Sequence, residues 1–260
     1  MRYKFLATLI LALGITNAVQ AGDNAVSIDQ IGNQSTINVT QTGTSNTVQG
    51  LGASLGTPAA KIYGDIAIVD LTQTGSGNTL LIGVNAGPTG STNTIRYNLT
   101  GSNNQATVDC NDIGTGKCSN NTVNIGQTGD TNNTLLAING SNNAINYTQT
   151  GGNTNNYTGT FTGDNITSIT DIQGGNNAVT ISSSPLSGIA AQSNINIVGA
   201  GNTVGLTQSG GSVSGNYASI ALAGTGNSVS ATQAGTAADN VLRVTSQGNN
   251  NIMRFNQTSR

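Results

Sequence analysis

The sequence predicts an all-β fold, a β-solenoid of stacked strand-turn-strand rungs. Three observations carry that expectation. Short runs alternate apolar and polar residues, as in Asn121-Thr-Val123-Asn-Ile125-Gly-Gln127 and Asn143-Ala-Ile145-Asn-Tyr147-Thr-Gln149. Such alternation makes a strand with one buried face. A glycine follows each run within a few residues, supplying the positive φ of a tight turn without a Cβ penalty. The unit then repeats after about 11 residues, too short for a domain and about half the length of a solenoid rung.

Composition agrees with stacked strands. The chain has 260 residues with 36 Gly, no His, no Trp and no Glu, and only 7% of residues are charged. Low charge alone could signal disorder, but the regular Ile, Val and Leu argue for a buried face. Abundant Asn and Gln suit side-chain ladders between stacked strands. Met1–Ala21 reads as a signal peptide, with Arg2 and Lys4 in its basic segment, the apolar run Phe5–Ile15 and Val19-Gln-Ala21 before the cleavage point. That run is shorter than the ~20 residues a membrane span needs. Without Arg2 and Lys4, six basic residues face ten acidic ones, which leaves no basic footprint for nucleic acid. Residues 22–260 are expected to be exported as one repeat domain, with no membrane span.

Taken in order, the repeat opens at Asn24-Val26-Ile28-Gln30 and closes at Asn251-Met253-Phe255-Gln257. Anchors pair as 35/46, 67/78, 93/104, 121/132, 143/155, 166/177, 191/202, 216/227 and 240/251, which makes nine rungs. Within a rung the step is 11 or 12 residues; between rungs it runs from 11 to 21. Long insertions fall only at every second turn, so one edge of the solenoid keeps tight turns while the other tolerates loops. Inserts at Gln49–Tyr63, Val84–Ser91, Cys110–Ser119 and around Pro185 are assigned to that second edge. Pro58, Pro88 and Pro185 then sit where no ladder donor is lost. The register is weakest near Asn155 and Ile166.

The repeat nominates the residues that should matter. An amide ladder is expected from Asn24, Gln30, Gln41, Asn46, Gln73, Asn78, Asn93, Asn104, Gln127, Asn143, Gln149, Asn177, Asn202, Gln208, Asn227, Gln233, Asn251 and Gln257, each amide donating to one neighbouring rung and accepting from the other. Turn glycines are expected at Gly32, Gly43, Gly75, Gly101, Gly129, Gly140, Gly151, Gly163, Gly174, Gly199, Gly210, Gly224, Gly235 and Gly248. Neither end shows a polar cap, so the end strands are expected to template addition of another chain.

Segments such as Gln73-Thr-Gly75-Ser-Gly-Asn78, Gln127-Thr-Gly129-Asp-Thr-Asn132 and Gln149-Thr-Gly151 resemble the curlin repeat of bacterial curli across essentially all of Gly22–Arg260. The resemblance implies a secreted subunit of extracellular amyloid fibres, serving adhesion and biofilm matrix. It implies partners that are other copies of the chain, related fibre subunits, and outer-membrane secretion and nucleation factors. The long loops, the near-absent segment between signal peptide and repeats, and the cysteine pair depart from that family's pattern.

Enzyme chemistry lacks ingredients: with no His or Glu, and Asp scattered through turns and loops, no acid–base pair stands out. No cofactor or metal is called for. Asp109 and Asp112 flank Cys110 without a ligand spacing. Cys110 and Cys118 share one insert of an exported chain, which favours a disulfide over two free thiols. Arg243 and Arg254 occupy the same outward phase of paired strands, either as edge protection by charge or as the mark of a nucleator subunit, whose arrangement they resemble. Two rival functions are a glycan- or ice-binding monomeric solenoid and a β-helix polysaccharide-degrading enzyme. The first needs Thr or aromatic residues at one phase of every rung, whereas Thr is expected mostly at turns and irregular phases.

Overall fold

A computed structural model describes residues 22–31, 36–50, 59–63, 65–85, 91–110, 118–185, 189–211, 215–235 and 238–259. The signal-peptide assignment, Gly32, Pro58 and Pro88, Asp112 and Arg260 lie outside the described residues, as do the cysteine side chains and hence the disulfide. Every described element is a strand, and every pairing is parallel. A chain coiling in one direction requires this, because each strand meets its counterpart one turn later. Two sheets result. One has nine strands, Thr36–Thr42, Asp65–Thr74, Ser91–Thr100, Thr122–Thr128, Ala144–Thr150, Ile166–Gln173, Ala191–Val198, Asn216–Ala223 and Val241–Gln247. These are the first strands of the nine expected rungs, and they bracket about eight turns of the coil.

The other sheet has 13 strands. Ile28–Ile31, Ala60–Tyr63 and Cys118–Ser119 continue the line of a preceding strand rather than adding a layer, so the sheet is ten layers deep. It starts with the N-terminal segment Ala25–Ile31, which the nine rungs did not include, and ends with Ile252–Ser259.

Each sheet turns alternate residues inward, and the two inner faces make one core. Val69, Leu71, Ile95, Leu99, Ile145 and Ile172 come from one side; Val48, Leu80, Ile82, Val108, Leu136 and Ile138 come from the other. The weak register near Asn155 and Ile166 has a packing cause. There Tyr147 and Tyr157 stack across the core with ring centroids 4.3 Å apart, and Phe161 lies on the same strand as Tyr157. Ser168 and Thr170 fill positions on the other sheet, and Gly159 lies between Tyr157 and Phe161 on their own strand. A Cβ on Gly159 would run into the Phe161 ring. Small residues offset large ones at constant core volume, and the alternating-apolar pattern is lost there although the strands are not. Burial raises the phenol pKa of Tyr97, Tyr147 and Tyr157 well above its ordinary value; neighbouring Tyr147 adds to the rise at Tyr97.

Two inserts differ from the expectation. Gln49–Tyr63 is not an edge loop throughout. Gln49 pairs with Leu81, and Lys61 already pairs with Gly83, so the excursion Gly50–Ala59 leaves from mid-strand and Ala60–Tyr63 resumes the rung. The Cys110–Ser119 insert behaves alike: Cys110 ends one strand, opposite Val84, and Cys118–Ser119 resumes opposite Gly140 and Ser141. Pro185 is likewise the last residue of a strand, in register with Gly210, where it caps the ladder instead of lying in a loop. The connections 86–90, 186–190, 211–215 and 236–240 join a strand of the deeper sheet to the next of the nine-stranded sheet, as the two-edge reading requires.

Candidate assembly site

The amide ladder is the most regular feature of the molecule. In the deeper sheet Asn24, Asn46, Asn78, Asn104, Asn132, Asn155, Asn177, Asn202, Asn227 and Asn251 stand one above another. Each Oδ1 accepts the backbone N–H of the next Asn, at 2.8–3.1 Å. Nδ2 donates to the carbonyl of the stacked turn glycine one rung on, as from Asn46 to Gly75 at 2.9 Å and from Asn177 to Gly199 at 2.9 Å. From Asn132 onward Nδ2 also lies within 3.0–3.2 Å of the preceding Oδ1. The amides thus hold the backbone at each corner as well as one another. A second ladder in the nine-stranded sheet joins Asn93, Asn121 and Asn143, continues to the Ile166 N–H, and returns at Asn216 and Asn240.

Glutamines form shorter ladders. Gln41 donates to Gln73 at 2.7 Å, and Gln208, Gln233 and Gln257 form a run at 3.1 and 3.0 Å. Gln127 and Gln149 stand in register between Leu99 and Ile172, but Gln127 donates to Thr134 and Gln149 to the Gly151 carbonyl instead. Gln30 lies half-buried at the first layer.

The turn glycines are required for their backbone conformation, and several also for their missing Cβ. Gly43, Gly75, Gly101, Gly129, Gly140, Gly151, Gly163, Gly174, Gly199, Gly210, Gly224 and Gly248 all have positive φ. A Cβ on Gly43, Gly75 or Gly101 would also strike the carbonyl of the stacked glycine in the next rung. Gly235 departs from the expectation: it ends a strand, paired with Ser259, and its φ is not in the left-handed region. The scattered turn aspartates act within the same scheme. The Oδ1 atoms of Asp130, Asp164 and Asp239 accept backbone N–H groups of Ser102, Ser141 and Gly215 one rung before.

Edges complete the site. Among the described residues, Ile252–Ser259 and Ala25–Ile31 each have one neighbour in their sheet, as do Val241–Gln247 and Thr36–Thr42 in theirs. Met253 and Phe255 point inward, half-buried against the core. The two ends differ in charge. Exposed Arg243 and Arg254 lie on the last strand of each sheet, while exposed Asp23 and Asp29 lie at the other end. Asp70, one strand in, takes a hydrogen bond from Asn38 and sits 3.6 Å from Arg96.

One outward column adds a partial threonine array to the sequence reading. Thr42, Thr74, Thr100, Thr128 and Thr150 are in register and exposed on five successive strands. Gln173, Val198, Ala223 and Gln247 then occupy that column. Among the described residues no three His, Cys, Asp or Glu side chains cluster to hold a metal.

Fold and ladder define a class: a parallel, two-sheet β-solenoid of short repeats with laddered amides, whose end strands among the described residues each have one neighbour. No protein-family model matches the chain, and no curated protein matches it.

Proposed function

We propose that the chain is a secreted structural subunit that self-assembles end to end into curli-like extracellular fibres for adhesion and biofilm matrix. The observation that carries the reading is the pair of polar-laddered ends, whose last strands each have one neighbour among the described residues. At one end Asn251 stands last in the ladder, its N–H on Asn227 Oδ1; at the other Asn24 Oδ1 holds the Asn46 N–H, so a ladder Asn of one copy stacked on the next copy continues the column. Parallel ladders are polar, so only head-to-tail contact continues them. The basic end meets the acidic end in that arrangement. Other fibre subunits and outer-membrane secretion and nucleation factors are the partners this reading implies, and the cell surface is its location. Purified residues 22–260, seeded with preformed fibres, should grow thioflavin-positive fibres with a cross-β spacing of ~4.8 Å. A protein that stays monomeric under seeding removes the reading.

The threonine column favours one rival, an ice- or glycan-binding solenoid. It spans only the first five strands of its sheet. Thermal hysteresis in the monomer, abolished by Thr100→Tyr and Thr128→Tyr, would replace the fibre proposal with that one.

A further inference from the structure

The two sheets do not have equal depth, and that constrains any end-to-end joint. Among the described residues ten layers stand in one sheet and nine strands in the other. If copies are spaced so that Ile252–Ser259 pairs with Ala25–Ile31 of the next, the nine-stranded sheet is left one strand short at the joint. If they are spaced so that Val241–Gln247 pairs with Thr36–Thr42, both the last strand and the next copy's N-terminal segment claim the same layer. Continuous ladders in both sheets require one of them to leave.

We infer, resting on the fibre reading above, that the N-terminal segment 24–31 is a removable plug. The last strand of a neighbouring copy displaces it and pairs directly with Thr47–Gln49 and Ala60–Tyr63. The segment is the weaker claimant. It pairs as two short pieces, whereas Ile252–Ser259 pairs along its whole length. Val26 is 49% exposed. The incoming strand also reproduces what the plug does. Asn24 Oδ1 accepts the Asn46 N–H, and Asn24 Nδ2 donates to the Gly43 carbonyl; Asn251 has the same phase and the same two groups. Met253 and Phe255 take the inward positions of Val26 and Ile28 with larger apolar side chains, so exchange buries more surface. In the other sheet Leu242 and Val244 come into line with Ile37 and Val39, apolar on apolar. Before exchange the plug covers the receiving layer, so a free subunit does not present its full joining edge.

Amide hydrogen exchange of seeded fibres of residues 22–260 tests this. In the monomer the Ala25 and Ser27 amides are bonded to the carbonyls of Asn46 and Val48 and should exchange slowly. In the fibre, peptides spanning 22–31 should lose that protection while those spanning 241–259 gain it. Ser27→Pro removes the bond to Val48 and loosens the plug. It should speed seeded elongation roughly five-fold, the equilibrium weight of one net backbone hydrogen bond. Fibres in which 22–31 gains protection, and Ser27→Pro slows growth, overturn the exchange and leave the fibre reading in place. If residues 22–260 form no fibres, the fibre reading and this inference fall together.

Discussion

Asn177 tests whether the ladder holds the fold or merely decorates it. Its side chain is 1% exposed. Nδ2 donates to Gly199 O at 2.9 Å and to Asn155 Oδ1 at 3.2 Å; Oδ1 accepts Asn202 N at 3.0 Å. Asn177→Ala strands a buried backbone N–H and a backbone carbonyl at one corner of the coil. Each unsatisfied buried group costs about 1–3 kcal/mol, so the variant should lose roughly 3–5 kcal/mol. Asn251 makes comparable donor contacts to Asn227, Ser246 and Gln247, but it is half-buried on the last layer and water can replace them. Asn251→Ala should therefore lose only about 1 kcal/mol in the monomer. Asn177→Asp keeps the acceptor but removes the donor and buries a charge, so at neutral pH it should cost at least as much as the alanine. Urea unfolding followed by circular dichroism, with m held constant, reads all three. Equal losses at positions 177 and 251, or a loss below about 1 kcal/mol at Asn177, would show that the corner bonds do not stabilise the coil.

Deleting Gly50–Ala59 joins Gln49 to Ala60 in register, so the β-signal in circular dichroism and the unfolding midpoint should be retained. Extending the deletion through Tyr63 removes a paired strand and should lower the midpoint. The double substitution Met253→Lys and Phe255→Lys places inward charges on an edge strand; a folded monomer that no longer elongates is expected in a seeded assay, and wild-type growth would exclude this edge from the joint. The buried phenols give a pH dependence. Because their folded pKa values are raised, the stability they confer is complete below the unfolded tyrosine pKa of ~10 and is lost as pH rises above it. With Tyr97, Tyr147 and Tyr157 all neutral in the fold, stability should fall by up to ~4 kcal/mol per pH unit above that point. Tyr147→Phe should make the fall shallower in urea titrations between about pH 9 and 11.

Strand phase, rung pairing and the loop-bearing edge were legible in the residues because each depends on local spacing: period 2 sets the buried face, and the step between Asn anchors sets the corner. The ladder positions followed, since a residue repeated at one phase of a parallel stack must meet its own kind. What the Asn side chains bond to was not legible. Their main partners are backbone groups at Asn and Gly corners one rung away, and those positions exist only after coiling. Ala60–Tyr63 escaped because four residues after Pro58 carry too little alternation to register as a strand; the neighbouring Gly83–Asn85 ladder decides that they are one. The Thr42–Thr150 column escaped for a related reason: its threonines lie 22 to 32 residues apart in the chain, and inserts of unequal length between rungs hide that they stand in line. The tenth layer is the clearest case. Asn24–Gln30 reads as a repeat like the others, but only stacking on Thr47–Gln49 assigns it to the deeper sheet. A half-rung has no partner strand of its own, so its sheet is chosen by the layer it covers.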